Sequence, residues 1–214
     1  MDPKPTPQQM ADTTADRPGF TRPMNREEIN ALPIAGWNGP VHVVRTPEEL
    51  AEAMVRLDSQ NLLGFDTETR PAHTKGEHYL PSLLQLAAES EVFLFQLKQL
   101  GLAGPLRRIL SDPEVSKVGV GLAHDLHELQ KMHSFQPAGF VDLGSMARKA
   151  GIRNLGLRGL AAVLLGVRIT KGAKVSNWAR TELSAQQIRY AATDAWVGRF
   201  LFLALRQHVS HMWQ

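Results

Sequence analysis

Two acidic residues, Asp66 and Glu68, directly follow a run of apolar residues that has the pattern of a buried strand, residues 62–65. Side chains two residues apart on a strand point to the same face, so these carboxylates are expected to lie side by side where the strand ends. Two negative charges at such a distance raise each other's pKa unless a cation lies between them. The pair therefore predicts a cation site. The alternative is a turn at the end of the strand, with Glu68 in solvent.

A third acidic residue, Asp194, lies in a predicted C-terminal helix from about Ala185 to His208, four residues after Tyr190. Residues at this spacing share one helix face, and the apolar residues that follow continue that face, so it is expected to point into the core. Burial of an unpaired carboxylate costs on the order of several kcal/mol, which a bound divalent cation offsets. The alternative is a bond to a neighbouring strand, or an ion pair with Arg189 or Arg199.

A fourth acidic residue, Asp125, stands at the start of a predicted helix from about His124 to His133, just after a predicted strand at 117–121. An acid in the first turn is also favoured by the helix dipole alone, which is the alternative to a role in chemistry. Two glycines in the strand resemble part of a dinucleotide-binding loop, but His124 stands where the third glycine belongs. A nucleotide cofactor is therefore not predicted.

Four acidic residues at three separate places favour a metal site made of oxygen ligands. The sequence has no cysteine and no convincing pair of histidines, and carboxylate ligands select Mg²⁺ or Mn²⁺ over zinc. Two such cations about 3.5–4 Å apart form a site for the attack of water on a phosphodiester. A di-iron helical bundle is not predicted, because it needs paired Glu-x-x-His motifs.

Charge is distributed unevenly along the 214 residues. Residues 1–144 hold 13 Lys and Arg against 19 Asp and Glu, a net charge of −6, whereas residues 145–214 hold 11 against 2, a net charge of +9. A basic segment can hold a polyanion beside an acidic centre. The alternative is solvated surface charge.

Composition limits the class of protein. The absence of cysteine excludes a disulfide scaffold, a thiolate metal site and a cysteine nucleophile. The longest apolar run, residues 160–167, is far shorter than the roughly 20 residues that span a bilayer, and the N-terminus has no apolar signal core. We expect a soluble, cytoplasmic protein with no membrane partner.

The remaining pattern predicts an α/β fold in which helices flank a mixed β-sheet. A capping box formed by Thr46 and Glu49, with Pro47 between them, predicts the start of a helix that runs to about Leu57. Further strands are predicted at Val41–Val44, Leu62–Thr67, Ser82–Ala87 and Val92–Gln96, the last two as a hairpin. Further helices are predicted near Pro105–Leu110, Leu143–Ala150 and Leu157–Leu165, and Ser184 is predicted to cap the C-terminal helix.

The N-terminus differs in composition from the rest. The first 40 residues contain seven of the 13 prolines and have no sustained apolar period. Residues 1–38 are therefore predicted to form a flexible or loosely docked arm, and residues 39–214 the folded domain.

Three motifs resemble those of the DEDD superfamily of 3′–5′ exonucleases. They are F-D-T-E-T at 65–69, V-G-x-G-x-x-H-D at 118–125 and Y-A-A-T-D-A at 190–195, in the order and at the spacing of that family. The tyrosine four residues before the last aspartate places the chain in the tyrosine subfamily. The chain is similar to ribonuclease D and more similar to the exonuclease domain of the Werner-syndrome helicase, with which it also shares K-x-x-K-x-S-N-W at 171–178.

This resemblance implies an RNase H-like fold and an exonuclease domain at residues 39–214. It implies that Asp66, Glu68, Asp125 and Asp194 hold two divalent cations, Mg²⁺ or Mn²⁺, and that the Tyr190 hydroxyl orients the attacking water. The reaction implied is the release of nucleoside 5′-monophosphates from the 3′ end of DNA or RNA. The alternative function is a catalytically weak nucleic-acid-binding module that keeps the fold.

Four further residues are candidate contacts to nucleic acid. Lys171 and Lys174 are predicted to contact phosphates; the alternative is an ordinary mobile basic loop. Trp178 either stacks on a base or anchors that loop to the core. By the resemblance, Thr67 approaches the terminal nucleotide through its backbone. His127 stands where the Werner-type domain carries an aromatic residue near the substrate.

Overall fold

One six-stranded sheet organises the part of the chain that the computed structural model describes, residues 17–170, 172–173 and 175–212. Its strands are β1 (Val41–Val44), β2 (Leu62–Thr69), β3 (Pro81–Ala87), β4 (Val92–Gln96), β5 (Ser116–Gly119) and β6 (Phe140–Asp142). The helices are α1 (Arg26–Ala31), α2 (Pro47–Leu57), α3 (Leu97–Leu100), α4 (Gly104–Leu110), α5 (Leu122–Met132), α6 (Leu143–Lys149), α7 (Leu157–Leu165) and α8 (Ala185–Met212).

The strand order is β1-β4-β3-β2-β5-β6. The pairs β2–β3 and β3–β4 are antiparallel, whereas β1–β4, β2–β5 and β5–β6 are parallel. The predicted hairpin of β3 and β4 is confirmed, with Ala87 opposite Val92 and Leu83 opposite Gln96. The predicted α/β fold with a mixed sheet flanked by helices is confirmed as well.

Local capping chemistry starts the helices where the sequence placed them. The Thr46 hydroxyl accepts a hydrogen bond from the Glu49 amide at 3.3 Å, and the Glu49 carboxylate accepts one from the Thr46 amide at 3.2 Å, so the predicted capping box of α2 is confirmed. At α8, the Ser184 hydroxyl accepts from the Gln187 amide at 3.2 Å. These three bonds satisfy amides that a helix start leaves without a partner.

Some elements differ from the prediction. Strand β5 ends at Gly119 rather than at Gly121, because Gly121 takes the left-handed conformation, with φ of 75°, and forms the N-cap of α5. The three-residue strand β6 and the short helices α1 and α3 were not predicted from the sequence. Helix α1 has its own capping box, formed by Asn25 and Glu28, but it buries no side chain and so carries no apolar period.

The two faces of the sheet pack against different helices. Leu63 and Phe65 of β2 belong to a core cluster with buried residues of α2, α4 and α5. Leu62 lies in a separate cluster with buried residues of α6, α7 and α8, among them Leu201. Alternation along β2 therefore directs odd-numbered side chains towards α5 and even-numbered ones towards α8.

Helix α8 lies unusually close to the centre of the sheet. A Cβ atom on Gly64 of β2 would lie 1.9 Å from the Ala195 carbonyl oxygen of α8, and one on Gly198 would lie 3.3 Å from the Val118 carbonyl oxygen of β5. Only residues without a Cβ, or with a small one, permit this approach. Although α8 has 28 residues, no helix in the described part of the chain is both long and apolar enough to cross a membrane.

Residues 17–38 run across α7 and α8. The Trp37 amide donates to the Thr193 hydroxyl at 3.0 Å, and the Ala35 amide donates to the Arg168 carbonyl at 2.9 Å. Residues 1–16 of the predicted arm lie outside the described residues, and the domain boundary at residue 38 stays a prediction.

Candidate active site

The two acids at the end of β2 project towards α8. Asp66 and Glu68 are both half-buried and pair across the sheet with Gln85 and Leu83 of β3. Because they occupy even-numbered positions, they share the face on which α8 packs, as the spacing predicted. The pairing of β2 and β3 shifts register just after Glu68, where the strand ends at the pocket.

Asp194 comes to the same place from α8. Its side chain is buried, with 7% of its surface exposed, and each of the three carboxylates offers an oxygen within 4.8 Å of those of the other two. Ala195, the next residue of α8, is the one whose carbonyl oxygen approaches Gly64 of β2. Of the alternative partners, Arg189 donates to the Asn38 side chain at 3.1 Å and Arg199 to the Leu62 carbonyl at 3.3 Å.

Tyr190 lies one helical turn before Asp194 and lines the same pocket. Burial, together with the charges of Asp194, Glu68 and Asp66 and the hydrogen bond to Asp194, raises the pKa of the Tyr190 hydroxyl well above its usual range. A phenol in this environment keeps its proton at neutral pH. In this environment the Tyr190 hydroxyl is a hydrogen-bond donor to Asp194.

Asp125 occupies the first turn of α5 as predicted, but it faces the opposite side of β2. Its Oδ1 accepts a hydrogen bond from the Thr67 hydroxyl at 2.7 Å, because Thr67 has an odd number and points towards α5. Burial raises the pKa of the Asp125 carboxyl, and the bond from Thr67 and the charge of His124 oppose that rise. Asp66, Glu68 and Asp194 therefore lie together. The fourth predicted ligand, Asp125, is bonded to Thr67, the residue between Asp66 and Glu68.

A residue that the sequence analysis missed, Asp142, positions the start of α5. Its carboxylate accepts hydrogen bonds from the amides of Gly121 at 2.6 Å, Leu122 at 3.3 Å and Ser145 at 2.7 Å. Burial raises the pKa of Asp142, but these bonds outweigh it and hold the pKa below its ordinary value. The signal available in the sequence was an aspartate directly before the predicted helix Leu143–Ala150, where it forms the N-cap of α6.

The three acids and Tyr190 line a pocket of about 390 Å³. Its opposite wall is formed by residues from the start of α7 and from the segment that follows it, namely Gly156, Leu157, Arg158, Gly159, Ile169 and Thr170. Three carboxylates this close, one of them buried, are the donor set that a hard divalent cation takes. The residues present therefore fit Mg²⁺ or Mn²⁺.

The predicted nucleic-acid contacts have different positions. Lys171 and Lys174 lie outside the described residues. Trp178 is 1% exposed and packs beside Tyr190, with ring centroids 6.0 Å apart, so its burial favours the anchoring role over base stacking. Thr67 is buried, and its amide donates to Asp66 Oδ1 at 3.0 Å.

Gln187, also missed from the sequence, holds the Ser-Asn-Trp segment on α8. Its side-chain amide donates to the Ser176 hydroxyl at 3.0 Å and to the Asn177 carbonyl at 3.2 Å. Gln187 is buried at the third position of α8, one turn before Tyr190. The segment therefore packs against the helix that carries two site residues.

Known proteins are similar to this chain in sequence and in fold. The family described as 3′–5′ exonuclease matches residues 41–210. Ribonuclease D of Gluconacetobacter diazotrophicus is 34% identical over 75% of this chain, and the bifunctional 3′–5′ exonuclease/ATP-dependent helicase WRN of Mus musculus is 29% identical over 71%. The chain spans 40% and 11% of these relatives, respectively. The crystal structure of the Aedes aegypti Nibbler EXO domain has a TM-score of 0.75 with 23% identity, covering 83% of this chain and 94% of that one.

Proposed function

The chain belongs to the 3′–5′ exonuclease family, and from that membership we propose that it removes nucleoside 5′-monophosphates from the 3′ end of DNA or RNA with two divalent cations, Mg²⁺ or Mn²⁺. The observation that carries the proposal is the convergence of Asp66, Glu68 and Asp194 within 4.8 Å at one end of a pocket that also holds Tyr190. These residues come from a strand and a helix more than 100 positions apart, so only the fold brings them together.

Asp66, Glu68 and Asp194 are the proposed ligands. When bound there, the cations supply Lewis-acid chemistry, which lowers the pKa of water and stabilises the departing oxygen. Asp125 is the proposed fourth ligand. It would exchange the Thr67 hydroxyl for a cation, and its raised pKa supports this role, because a nearby positive charge offsets the cost of burying the ionised carboxylate.

Tyr190 is proposed to orient the attacking water. Its raised pKa favours the protonated hydroxyl, which donates to Asp194 in this structure and would exchange that acceptor for the water. The Tyr190 ring packs against the buried ring of Trp178, with the ring centroids 6.0 Å apart. Such a fixed donor orients a reactant without further loss of conformational freedom at the moment of reaction.

Substrate binding is proposed to use the basic C-terminal part of the chain. Residues 145–214 carry a net charge of +9, and charge of this sign attracts the phosphates of either polymer. Lys171 and Lys174 stay proposed phosphate contacts, and the backbone of Thr67 a proposed contact to the terminal nucleotide. The relatives bear names of both kinds, a ribonuclease and an exonuclease joined to a helicase, so both polymers belong in the test.

The test is a digestion of single-stranded DNA, recessed duplex DNA and RNA of one sequence, with Mg²⁺, with Mn²⁺ and with a chelator. We expect mononucleotides to be released from the 3′ end with either metal, and none with the chelator. Glu68→Gln should abolish the release. The matched control is Glu89→Gln, because Glu89 is exposed in the turn between β3 and β4, at the other end of the hairpin.

Release of no mononucleotide from any substrate would overturn the proposal. If the wild type and the Glu68→Gln variant then bound the polymers equally well, the chain would be the alternative, a nucleic-acid-binding module that keeps the exonuclease fold. Equal cleavage by both proteins would instead remove Glu68 from the proposed ligands.

A further inference from the structure

A second cavity, of about 710 Å³, adjoins the pocket of the three acids and is lined by three arginines, Arg26, Arg153 and Arg158. We name it the arginine groove. Gly156, Arg158 and Gly159 line both cavities, so the groove and the pocket lie next to each other. A strand whose 3′ end lay among the acids could therefore continue along it.

One wall of the groove comes from outside the region that matches the exonuclease family. That match begins at residue 41, whereas Arg26 belongs to α1. Helix α1 is fixed by contacts with the start of α7: Asn154 accepts from the Met24 amide at 2.8 Å and donates to the Met24 carbonyl at 3.1 Å, and Arg158 donates to the Asn30 side chain. This wall of the groove is therefore held by hydrogen bonds to the segment that leads into α7.

Two arginine side chains of the groove have nitrogen atoms that bond to none of the described residues. Arg26 is exposed, and its side chain makes no hydrogen bond or ion pair with the described residues. Within the described part of the chain, the exposed side chain of Arg153 bonds through its Nε alone, which donates to the Phe20 carbonyl at 3.2 Å. The residues described as lining the groove include no carboxylate, and Glu28 of α1 is paired with Arg22 at 2.6 Å. Arginines free to donate are well suited to phosphate oxygens.

We propose that the arginine groove binds the phosphates of the nucleotides on the 5′ side of the scissile bond. The segment ahead of the exonuclease domain is then part of the substrate site, and the enzyme acts better on longer strands than on a dinucleotide. The inference rests on the proposed function. Arginine contacts to phosphates fix position without reading sequence, so the preference concerns length and not base composition.

The test compares Arg26→Glu with a matched charge reversal, Arg45→Glu. Arg45 is exposed next to the edge strand β1 and lines neither cavity. The substrates are a dinucleotide and a 12-mer that share the same 3′ end. Arg26→Glu should raise KM for the 12-mer about 3- to 10-fold, and it should reduce the slope of log(kcat/KM) against log salt by about 0.7. Its kcat and its cleavage of the dinucleotide should stay unchanged, as should all parameters of Arg45→Glu.

Equal KM values for the 12-mer in the two variants would overturn the inference while leaving the exonuclease function intact. A binding experiment separates the two proposals fully. In the Asp66→Asn background, Arg26→Glu should weaken binding of a fluorescent 12-mer about 3- to 10-fold relative to Arg45→Glu. Equal binding of the 12-mer by these two variants would refute the proposed role of the arginine groove, whatever the outcome of the cleavage experiments. The milder Arg26→Gln should shift affinity in the same direction by less, and an unchanged melting temperature should show that each variant folds.

Discussion

Substitution of Gly64 by alanine should move the proposed metal ligands of β2, Asp66 and Glu68, away from Asp194 of α8. The added Cβ would lie 1.9 Å from the Ala195 carbonyl oxygen, and the tightest ordinary contact of this kind is about 3 Å, so α8 and β2 must move apart by about 1 Å. Both clashing groups belong to rigid elements, which leaves no side chain to absorb the change. Overpacking of this kind costs about 1–3 kcal/mol of stability.

The same displacement moves Asp194 away from Asp66 and Glu68. A misplacement of about 1 Å in a catalytic constellation can cost about 100-fold in rate. We therefore expect Gly64→Ala to lower kcat about 100-fold and to weaken Mn²⁺ binding, measured by calorimetry, under conditions where circular dichroism shows a folded protein. Its free energy of unfolding in urea should fall by about 1–3 kcal/mol.

Two matched glycines serve as controls for this experiment. At Gly198 an added Cβ would lie 3.3 Å from a carbonyl oxygen, so Gly198→Ala should have a much smaller effect on the same quantities. At Gly104, which starts α4, the nearest atom is 3.8 Å away at the end of an arginine side chain, and Gly104→Ala should be neutral. A folded Gly64→Ala protein with unchanged kcat and Mn²⁺ affinity would refute the idea that this contact sets the spacing of the carboxylates.

Three further predictions concern single side chains. Tyr190→Phe should lower kcat about 100- to 1,000-fold, the typical effect of losing one fixed donor, with KM unchanged because the ring packing on Trp178 remains; an unchanged kcat would refute the positioning role. Burial lowers the pKa of Lys117 from 10.5 to about 8, so the unfolded chain binds this proton more tightly than the folded chain does. The free energy of unfolding should therefore rise between pH 8 and 10.5 by on the order of 1–3 kcal/mol. Lys117→Met should lack this rise in urea titrations at several pH values, and an equal dependence on pH in the two proteins would contradict the prediction. Asp142→Ala removes the acceptor of three amides and should cost about 1–3 kcal/mol in urea unfolding, whereas Asp142→Asn, which keeps an oxygen acceptor, should cost less.

Local chemistry in the sequence predicted the element boundaries best. The capping box of Thr46 and Glu49 fixes the start of α2, since both partners lie within one helical turn. The same pattern at Asn25 and Glu28 was not enough to predict α1, because this helix buries no residue and so has no apolar periodicity. Strand β6, with three half-buried residues, likewise carries too short a pattern to be distinguished from a loop.

The candidate site was predictable in part. The alternation of a strand was enough to place Asp66 and Glu68 on one face, and the same alternation placed Thr67 opposite them, next to Asp125. What the sequence could not show is how near α8 approaches, because that distance depends on a tertiary contact at Gly64. The burial of Trp178 depends in the same way on how residues 175–178 return to α8.

The position of Asp194 in the middle of α8 has a consequence for hydrogen exchange. The buried residues Ala191, Ala192 and Ala195 belong to one core cluster, and Val197 and Leu201 of the same helix belong to another. Amides around Asp194 should therefore exchange only when the whole domain unfolds, because no smaller unit can release this stretch of helix. It follows that heat should abolish metal binding and global structure at one temperature, with no folded state in which the carboxylates are already apart.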